Sequence, residues 1–391
     1  MNHYILNKEV QDFINENLKS DVTKLILKGS PFETVSIQEI AEQILAKNSC
    51  EKKLPTWFNA ENIYYPNKLN IEQTSSEITS SYKSDFVSGE TLIDITGGFG
   101  VDAYFFSQKV AKITHCEINE DLSAMVSHNF KQLKVKNITT YLGDGFEFLK
   151  KSQEKFDWIY ADPSRRNDAK GKVFLLEDCL PNIPENLPLL FQRTNNFLLK
   201  VSPILDIKRA VNELNNVKEI HVVAVENEVK ELLFLLEKNH TKSIEVKTIN
   251  TAKTNTQKFD FTLGENTNAT FSEPKKYVYE PNAAILKSGA FLQVSEKLKM
   301  AKLHQHSHLY TSNELTDFPG RRFEIKYSIS YDKKQLLQLI PAKKANITIR
   351  NFPETVAQIR KKTGLKDGGN QYIFFTTDVN NKHLVLICKK V

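Results

Sequence analysis

Apolar positions near the start of the chain recur at three- and four-residue spacing, which is typical of amphipathic helices. The segments NKEVQDFINENL and SIQEIAEQILAK both show this pattern. Ser36 and Glu39 stand three residues apart at the start of the second segment, which is the sequence of a capping box. Residues 1–85 are therefore predicted to form an N-terminal helical region.

From about residue 90 the apolar residues come in short runs separated by helical or loop segments. The runs are TLIDI, AKITHCEI, NITTYLG, FDWIYAD, NNFLLKVS and EIHVVAV. Alternation of strands and helices predicts a doubly wound α/β sheet with parallel strands. Only ENE separates EIHVVAV from VKELLFLLE, too little chain for a helical crossover, so this last pair is expected to be antiparallel. This domain is assigned to residues 86–264.

The rest of the chain divides into an irregular stretch and a regular one. Residues 265–321 predict a linker or a small subdomain, with a ferredoxin-like fold as one option. Residues 322–391 contain four strand patterns and two helix patterns, which predict an α+β domain. They hold 14 lysines and arginines against 5 acidic residues, whereas the whole chain has a net charge of +6. This concentration of charge favours a nucleic-acid binder, and a solvated lysine-rich surface is the alternative.

Compartment and cysteine usage follow from simple counts. No apolar run has the length of a membrane span, and the N-terminal sequence does not resemble a signal peptide, so a cytoplasmic protein without membrane contact is expected. Cys50, Cys116, Cys179 and Cys388 lie far apart, which predicts buried thiols rather than a zinc site or disulfides. The oligomeric state is left open.

The segment DITGGFG follows the first strand pattern and concentrates three glycines in four positions. A glycine-rich turn at this place binds either a dinucleotide or S-adenosylmethionine (SAM). Asp94 and Asp102 would repel a pyrophosphate, but they would attract the cationic amino and sulfonium groups of SAM. The acidic residues therefore favour SAM.

Further carboxylates follow the next three strand patterns. Glu117 ends the second strand, where a carboxylate can accept hydrogen bonds from both ribose hydroxyls. Asp144 follows the third strand and is expected to accept from the adenine amino group. Asp162 follows the fourth strand, at the edge where open α/β sheets bind their ligands. Each residue alone could simply cap a helix, but the repetition at successive strand ends favours a ligand site.

These motifs, DITGGFGVD, CEIN, GDG and ADPSRR, resemble the ordered motifs of class I SAM-dependent methyltransferases. With YEPNAAILKSGAF and ANITIRNFPETVAQIRKKTG, nearly the whole chain resembles a bacterial methyltransferase family that carries a C-terminal THUMP-like domain. The resemblance implies a Rossmann-like sheet of seven strands that ends in an antiparallel pair, with SAM as cofactor. The candidate cofactor contacts in these motifs are Asp94, Thr96, Gly97, Gly98, Gly100, Asp102, Glu117, Ile118, Asp144 and Gly145.

A polar segment just before the sheet is also expected beside the SAM pocket. Gln73 and Ser75 are candidate cofactor contacts there. Thr74 could join them, but Thr74 and Glu77 also form a capping-box sequence, and ordinary helix capping explains that threonine equally well.

DPSRR stands where methyltransferases of amino groups and nucleic acids carry N/D-P-P-Y/F. The candidate catalytic residues are Asp162, Pro163, Ser164 and Arg165. Asp162 could hold an acceptor amine and assist the loss of its proton. Ser164 and Arg165 depart from the pattern, which weakens the assignment of a base amine as acceptor. Arg165 and Arg166 could bind a phosphate or pair with surface carboxylates.

THUMP domains bind RNA, so the resemblance and the basic charge together favour an RNA methyltransferase that grips tRNA or rRNA through its C-terminal domain. The basic side chains expected to contact RNA are Lys343, Lys344, Arg350, Arg360, Lys361, Lys362 and Lys366. Methylation of a protein or a small molecule, and a SAM-dependent RNA binder without catalysis, are the alternatives.

Two other features receive a structural interpretation. His304, His306 and His308 would share one face of a strand, as metal ligands could, but they lie outside the catalytic motifs, and no metal is assigned. Cys179 follows the catalytic motif, where a cysteine nucleophile is conceivable, but a buried thiol is favoured.

Overall fold

Helices occupy most of the first eighty-five residues, as the spacing of apolar positions predicts. The computed structural model describes residues 1–165 and 175–391. The described α-helices are α1 (Lys8–Glu16), α2 (Val22–Lys28), α3 (Ile37–Lys53), α4 (Pro55–Asn59), α5 (Lys68–Gln73), α6 (Glu77–Ser84), α7 (Val101–Phe106), α8 (Glu120–Gln132), α9 (Gly145–Lys151), α10 (Ile183–Arg193), α11 (Ile207–Glu213), α12 (Ala283–Ser288), α13 (Phe291–Lys297), α14 (Lys333–Leu339) and α15 (Val356–Thr363). Short 3₁₀ helices cover His3–Leu6 and Leu176–Asp178.

The strands follow the apolar runs of the sequence. They are β1 (Gly89–Asp94), β2 (Val110–Glu117), β3 (Ile138–Leu142), β4 (Phe156–Ala161), β5 (Ser164–Arg165), β6 (Cys179–Leu180), β7 (Thr194–Val201), β8 (Val217–Val225), β9 (Glu228–Glu237), β10 (Glu245–Thr251), β11 (Thr256–Thr262), β12 (Tyr277–Pro281), β13 (Ala301–Lys302), β14 (Tyr310–Ser312), β15 (Gly320–Ser330), β16 (Asn346–Arg350), β17 (Gln371–Thr377) and β18 (His383–Lys390).

One of the two predicted capping boxes forms. Ser36 accepts a hydrogen bond from the backbone of Glu39, whose carboxylate bonds back to Ser36, at the start of α3. The prediction that Thr74 caps the helix before the sheet is wrong. Ser76 is the N-cap of α6, because the Glu77 carboxylate instead accepts from the backbone N–H and hydroxyl of Thr56, at 2.6 and 2.9 Å.

The described residues form two units. The first comprises Met1–Lys218 and Leu233–Lys242. Its strands lie in the order β9-β7-β4-β1-β2-β3, and β7, β4, β1, β2 and β3 are mutually parallel. The chain runs outward from β1 to β3 on one side and from β4 to β7 on the other. The carboxyl ends of β1 and β4 therefore flank the topological switch point, where open sheets of this kind bind ligands.

The second unit comprises Glu219–Leu232 and Ser243–Val391. Here β8 turns directly into β9 through Glu226 and Asn227, whose φ angles of 50° and 63° are those of a tight hairpin, so the predicted antiparallel pair is confirmed. Strand β10 pairs in parallel with β8, and β11 pairs antiparallel with β10. Strands β10 and β11 are not among the predicted strands, because their polar residues, threonine and asparagine among them, interrupt the apolar pattern.

A seven-stranded sheet in the same unit has the order β13-β14-β12-β15-β18-β17-β16. Its last four strands and helices α14 and α15 are those predicted for residues 322–391. Strand β12 pairs with β15, so part of the stretch interpreted as a linker or subdomain belongs to the same sheet. In β17 the side chains alternate: Ile373 and Phe375 join the core beneath the helices, and Phe374 joins the core of the opposite face.

Within residues 1–165 and 175–391 no helix combines the length and the apolar character that crossing a bilayer requires. The four cysteines are buried thiols that form no disulfide among the described residues, as predicted. Burial raises the pKa of the Cys50 thiol to about 12 and also raises the pKa values of Cys116 and Cys388.

Candidate functional site

The turn between β1 and α7, residues 94–100 and hereafter the glycine turn, has left-handed backbone at all three of its glycines. A Cβ atom on Gly97 would lie 2.4 Å from the carbonyl oxygen of Cys116, and one on Gly100 would lie 2.6 Å from the Phe130 ring. These two glycines are required by packing within the protein. At Gly98 the nearest atom to an added Cβ is 3.9 Å away. The open face of the turn is therefore at Gly98.

The end of β2 is tied to the glycine turn. Glu117 is buried, and its Oε2 accepts a hydrogen bond of 2.8 Å from the backbone N–H of Gly98. Its Oε1 accepts from the N–H of Asn119 at 2.7 Å. The next residue, Ile118, is 73% exposed. A buried carboxylate beside an exposed apolar side chain is an arrangement suited to a ligand that has both hydroxyls and an aromatic ring.

The loop after β3 lies against the same turn. Gly145 is buried, and a Cβ atom there would lie 2.5 Å from the Cβ of Ile95. This close approach brings Asp144 near the glycine turn. Asp144 is exposed and caps α9, since its Oδ1 accepts from the N–H groups of Phe146 and Glu147 at 2.7 and 3.0 Å. Its other oxygen has no partner among the described residues.

Thr96 joins the ends of β1 and β4. Its hydroxyl donates to Oδ1 of Asp94 at 3.2 Å and accepts from the backbone N–H of Asp162 at 2.7 Å. The backbone N–H of Thr96 also donates to Asp94, at 3.0 Å. The sequence-predicted candidates Asp94, Thr96 and Asp162 are thus brought together at the switch point of the sheet.

Lys200 on β7 forms an ion pair with Asp162, in which Nζ donates to Oδ2. Lys200 is not among the residues predicted from the sequence. Ala161 of β4 is in register with Leu199 of β7, so the next residues, Asp162 and Lys200, come to lie side by side. The sequence feature that could have identified Lys200 is its position near the carboxyl end of an apolar strand. The second carboxylate oxygen of Asp162 has no partner in the part of the chain that the structure describes.

Asp94 is 1% exposed and lies near two other carboxylates. Burial raises its pKa to about 7, and the negative charges of Asp102 and Asp162 raise it too, while the hydrogen bonds from Thr96 act in the opposite direction. An ionised carboxylate with so little compensation from the protein is a natural partner for a cation.

Asp102, by contrast, is saturated by the protein. Its Oδ1 contacts Lys83 Nζ at 3.1 Å and Ser80 at 2.5 Å, and its Oδ2 accepts from Ser75 at 2.9 Å and Tyr160 at 2.6 Å. These five residues are called the Asp102 cluster. Burial favours the neutral acid, but the charges of Lys83 and Lys200 and the hydroxyl hydrogen bonds lower the pKa of Asp102 to about 2.

The structure therefore ties the candidates Asp102 and Ser75 into internal contacts. Lys83, which is fully buried, donates to the Ser75 hydroxyl at 2.9 Å as well. Gln73 is exposed at the end of α5, and Thr74 is the residue that ends this helix. Asp102 is predicted from its motif but Lys83 is not, since the spacing of 19 residues between the two follows no local pattern.

The remaining catalytic candidates lie on the loop after β4. Pro163 is buried and Ser164 is exposed, with its hydroxyl 3.4 Å from the carbonyl oxygen of Leu180. Backbone pairing of β5 with β6 sets Arg165 opposite the buried Cys179. The side chain of Arg165 and the whole of Arg166 lie outside what the structure describes.

The basic side chains of the C-terminal region fall into two groups. Arg350 pairs with the buried Glu280 at 2.8 Å, Arg360 pairs with Asp367, and Lys362 pairs with Glu354 at 2.9 Å. Of the seven basic residues that the sequence predicts to contact RNA, the other four are exposed lysines without a carboxylate partner among the described residues: Lys343, Lys344, Lys361 and Lys366. The first group forms ion pairs within the protein, and the second group leaves positive charge at the surface that a ligand could contact.

The three alternating histidines do not share a strand face. They lie between β13 and β14 in a turn where His308 has a φ of 51°. The His308 ring stacks on Phe291 with 3.6 Å between centroids, whereas His304 bonds to Asn381 and Asn351. Burial lowers the pKa of His308 to about 4. Among the described residues no group of three or more histidines, cysteines or carboxylates is arranged to hold a metal ion.

Comparison with known proteins gives matches to single domains of this chain and to nearly the whole chain. A model of a ferredoxin-like domain matches residues 277–319, and a THUMP-like domain model matches residues 320–390. A crystal structure described as a "putative methyltransferase" from Porphyromonas gingivalis W83 is 31% identical, with a TM-score of 0.89, and the match covers 99% of this chain and 98% of that one.

A second relative matches only part of the chain. An "uncharacterized RNA methyltransferase" of Mycoplasma mobile is 26% identical over 154 residues, which are 38% of this chain and 42% of the relative. The chain therefore spans less than half of the length of this curated relative.

Proposed function

The chain belongs to the family of the Porphyromonas gingivalis protein, the class I SAM-dependent methyltransferases with a C-terminal THUMP-like domain, and from that premise we propose that it methylates a base in RNA. The observation that carries the proposal is the meeting of Asp94, Thr96 and Asp162 at the switch point of the sheet. The relative from Mycoplasma mobile, which is named as an RNA methyltransferase, supports the choice of acceptor.

The residues at the strand ends fit SAM in their chemistry. Asp94 offers an incompletely compensated negative charge to a cationic group, and Gly98 leaves the turn open beside it. Glu117 retains lone pairs for ribose hydroxyls beyond the two N–H groups that it already accepts. The free oxygen of Asp144 and the exposed Ile118 suit the polar edge and the apolar face of an adenine ring.

Asp102 and Ser75 have another role in this proposal. Because Asp102 already accepts from four side chains, it stabilises the start of α7 and the helix before the sheet rather than the cofactor. Gln73, which is exposed at the end of α5, stays a candidate contact at the rim of the pocket.

SAM, when bound, supplies an electrophilic methyl group on a sulfonium sulfur. On the protein side, Oδ1 of Asp162, which has no partner among the described residues, accepts a hydrogen bond from the acceptor amine and can receive its proton. The ion pair between Lys200 and Oδ2 keeps the Asp162 carboxylate in one orientation. The position of Oδ1 is thereby fixed as well. The bond from Asp162 N–H to Thr96 holds the loop at a constant distance from the glycine turn.

The C-terminal region supports RNA as the macromolecule that is bound. Lys343 and Lys344 precede β16, and Lys366 pairs through its backbone with this lysine segment. The three exposed lysines thus form one cluster without carboxylate partners among the described residues. Such a cluster would bind phosphates with an affinity that falls steeply with salt.

The test is the transfer of labelled methyl from SAM to total RNA taken from cells that lack the protein. We expect label in RNA with the wild-type protein and a loss of about a hundredfold or more with Asp162→Asn, which keeps the size of the side chain but removes its charge. Glu154→Gln is the matched control, because Glu154 is exposed and its side chain makes no hydrogen bond among the described residues.

The outcomes separate the proposal from its alternatives. Label in RNA that depends on Asp162 but not on Glu154 supports the proposal, and digestion of the product then locates the base. Label that enters protein or small molecules but not RNA would move the acceptor to another class. Binding of SAM with no transfer to any acceptor would favour a SAM-dependent RNA binder without catalysis.

A further inference from the structure

A cavity of about 550 Å³ opens in the second unit, at the end of β16. Its wall includes His304, Asn351, Phe352, Asn381 and His383. It lies entirely within one unit and uses none of the residues assigned to the methyl-transfer site. A volume of this order is typical of a pocket for a small ligand.

Hydrogen bonds determine which nitrogen of His304 carries the proton. The backbone N–H of His306 donates to Nδ1 at 3.1 Å, and the side-chain amide of Asn351 lies 3.0 Å from the same atom. Nδ1 is therefore an acceptor, and Nε2 carries the hydrogen of the neutral ring. Nε2 then donates to Oδ1 of Asn381 at 3.1 Å.

This arrangement sets the orientation of both asparagine amides. Asn351 uses its NH₂ group on His304, and Asn381 uses its oxygen on the same ring. The Oδ1 acceptor of Asn351 and the Nδ2 donor of Asn381 have no partner among the described residues. Left-handed backbone at both positions, with φ of 54° and 60°, holds the pair. The cavity thus offers one hydrogen-bond acceptor, Oδ1 of Asn351, and one donor, Nδ2 of Asn381. The His304 ring orients both amides.

Aromatic side chains stand beside this polar pair. The Phe352 ring lies 5.3 Å from the His383 ring, in an edge-to-face arrangement, and both line the cavity. Tyr331 and Phe375 pack against Phe352 from within the domain. An aromatic ring held in this way is a stacking platform of the kind that single-stranded nucleic acids use.

Charged side chains of both signs adjoin the cavity, since the Asp378 carboxylate accepts from the backbone N–H groups of Asn380 and Lys382. Lys382 stands between Asn381 and His383, is exposed, and has no carboxylate partner in residues 1–165 and 175–391. Lys344 stands seven residues before Asn351, which along a strand is a distance of roughly 23 Å. Cationic side chains therefore occur both at the mouth of the cavity and at the far end of β16.

We propose that this cavity, hereafter the base pocket, binds one unpaired nucleobase of the RNA substrate. The base stacks on Phe352 or His383, its edge bonds to Oδ1 of Asn351 and Nδ2 of Asn381, and Lys382 contacts the adjoining phosphate. A donor beside an acceptor is the pattern with which amide side chains read a base edge. The inference rests on the proposed function, since it requires that RNA is the ligand.

The first test compares RNA forms on the full-length protein. Fluorescein-labelled homopolymers of A, C and U and a blunt RNA duplex are titrated by fluorescence anisotropy at one salt concentration. We expect tighter binding of at least one single strand than of the duplex. Phe352→Ala should weaken single-strand binding by about tenfold and leave duplex binding unchanged, because only a splayed base can stack.

The second variant avoids any loss of packing. Asn381→Asp keeps the oxygen that accepts from His304 and replaces the Nδ2 donor by a second acceptor, so the preference among the homopolymers should change. Gln335→Glu is the matched control for charge, since it adds one negative charge at an exposed position of α14 whose side chain makes no hydrogen bond among the described residues. Lys382→Ala should weaken all sequences alike and reduce the salt dependence by about one unit of slope.

The possible results distinguish failure of the base pocket from failure of the proposed function. Single-strand binding that is unaffected by Phe352→Ala and by Asn381→Asp would overturn the base pocket while leaving the RNA methyltransferase intact. A mononucleotide that binds as tightly as the oligomers would reassign the pocket to free nucleotides and also overturn the proposal. Failure of the wild-type protein to bind any RNA would remove the proposed function, and the base pocket with it.

Discussion

Two polar regions meet at the start of α7 and treat their carboxylates in opposite ways. In the Asp102 cluster, one carboxylate accepts from three hydroxyls and a buried ammonium, and its pKa falls to about 2. In the glycine turn, the Asp94 carboxylate accepts hydrogen bonds from Thr96 alone among the described residues, and burial raises its pKa to about 7. The two residues are eight positions apart. The hydrogen bonds of the first carboxylate are completed by the protein, and the second carboxylate takes a ligand in the proposed function.

This difference separates structural carboxylates from candidate ligand-binding carboxylates within one acidic motif. Two aspartates of the same motif are equally acidic in sequence, but only the poorly compensated one is suited to a cationic ligand. A saturated carboxylate is a structural element, and its loss should appear in stability. A desolvated carboxylate without an ion-pair partner is held at a cost in stability, and its loss should appear in binding.

The largest expected effect is on the Asp102 cluster. Asp102→Asn leaves the Lys83 ammonium buried without its counter-charge, and we expect a loss of about 3–5 kcal/mol in the free energy of unfolding. Both tryptophans, Trp57 and Trp158, lie in the first unit, so their fluorescence during urea unfolding reports on this region.

The control is the double variant Asp102→Asn with Lys83→Met, which removes both charges. It should be more stable than Asp102→Asn alone, because no unpaired ammonium is left. Equal stability of wild type and Asp102→Asn would contradict the structural role of Asp102, since the cluster would then contribute nothing to the fold.

The second effect concerns the ion pair of Asp162 with Lys200. Lys200→Met removes the fixed partner of the carboxylate and should lower the rate of methyl transfer by about a hundredfold, because a small misplacement of a catalytic group is enough for such a loss. SAM binding should stay within a few fold of the wild-type value.

Lys200→Arg keeps the positive charge beside Asp162 and should recover part of the rate. The measurement is kcat with saturating RNA together with the dissociation constant of SAM by calorimetry. A Lys200→Met protein with unchanged kcat would show that Asp162 does not depend on its lysine.

The third effect is a dependence of SAM affinity on pH. Asp94 is protonated below its pKa of about 7 and ionised above it, so a cationic ligand should bind more tightly as pH rises. We expect the affinity for SAM to increase by about tenfold between pH 6 and 8, since each pH unit below the pKa reduces the ionised fraction about tenfold.

Asp94→Asn should bind SAM weakly and without this rise. It should also be somewhat more stable than the wild type at pH 8 without ligand, because a carboxylate whose folded pKa is raised loses stability as pH increases from about 4 to 7. Calorimetric titrations at several pH values, paired with thermal unfolding, check both statements. A pH-independent affinity of the wild type would contradict them.

The smallest expected effect is at Gly98. Gly98→Ala meets no atom within 3.4 Å, so its cost to folding should be only the left-handed backbone, about 1 kcal/mol. The added methyl group would nevertheless stand on the open face of the turn and weaken SAM binding. Gly289→Ala is the matched control, since its φ of 75° is also left-handed, no atom lies within 4 Å, and it belongs to the second unit. Equal SAM affinity for Gly98→Ala and wild type would place the open face outside the ligand site.

Much of the architecture could be predicted from local patterns. Alternation of apolar runs identifies β1 to β4 and β7 to β9, and the ENE connection identifies the hairpin at Glu226 and Asn227. The convergence of Asp94, Glu117, Asp144 and Asp162 also follows from sequence, because the carboxyl ends of parallel strands meet at one edge of a sheet. Strands β10 and β11 were missed, since their polar residues hide the apolar alternation.

The order of the elements, the position of the glycine turn and the acidic character of the strand ends can be read from the sequence, because all three depend on neighbours along the chain. Which charges have a partner depends instead on how the chain folds. Lys200 and Asp162 are 38 residues apart, and Arg350 and Glu280 are 70 apart. The same holds for the amides that His304 orients. Pairing, desolvation and hydrogen bonding depend on distances in space, and they separate a structural charge from one that can bind a ligand.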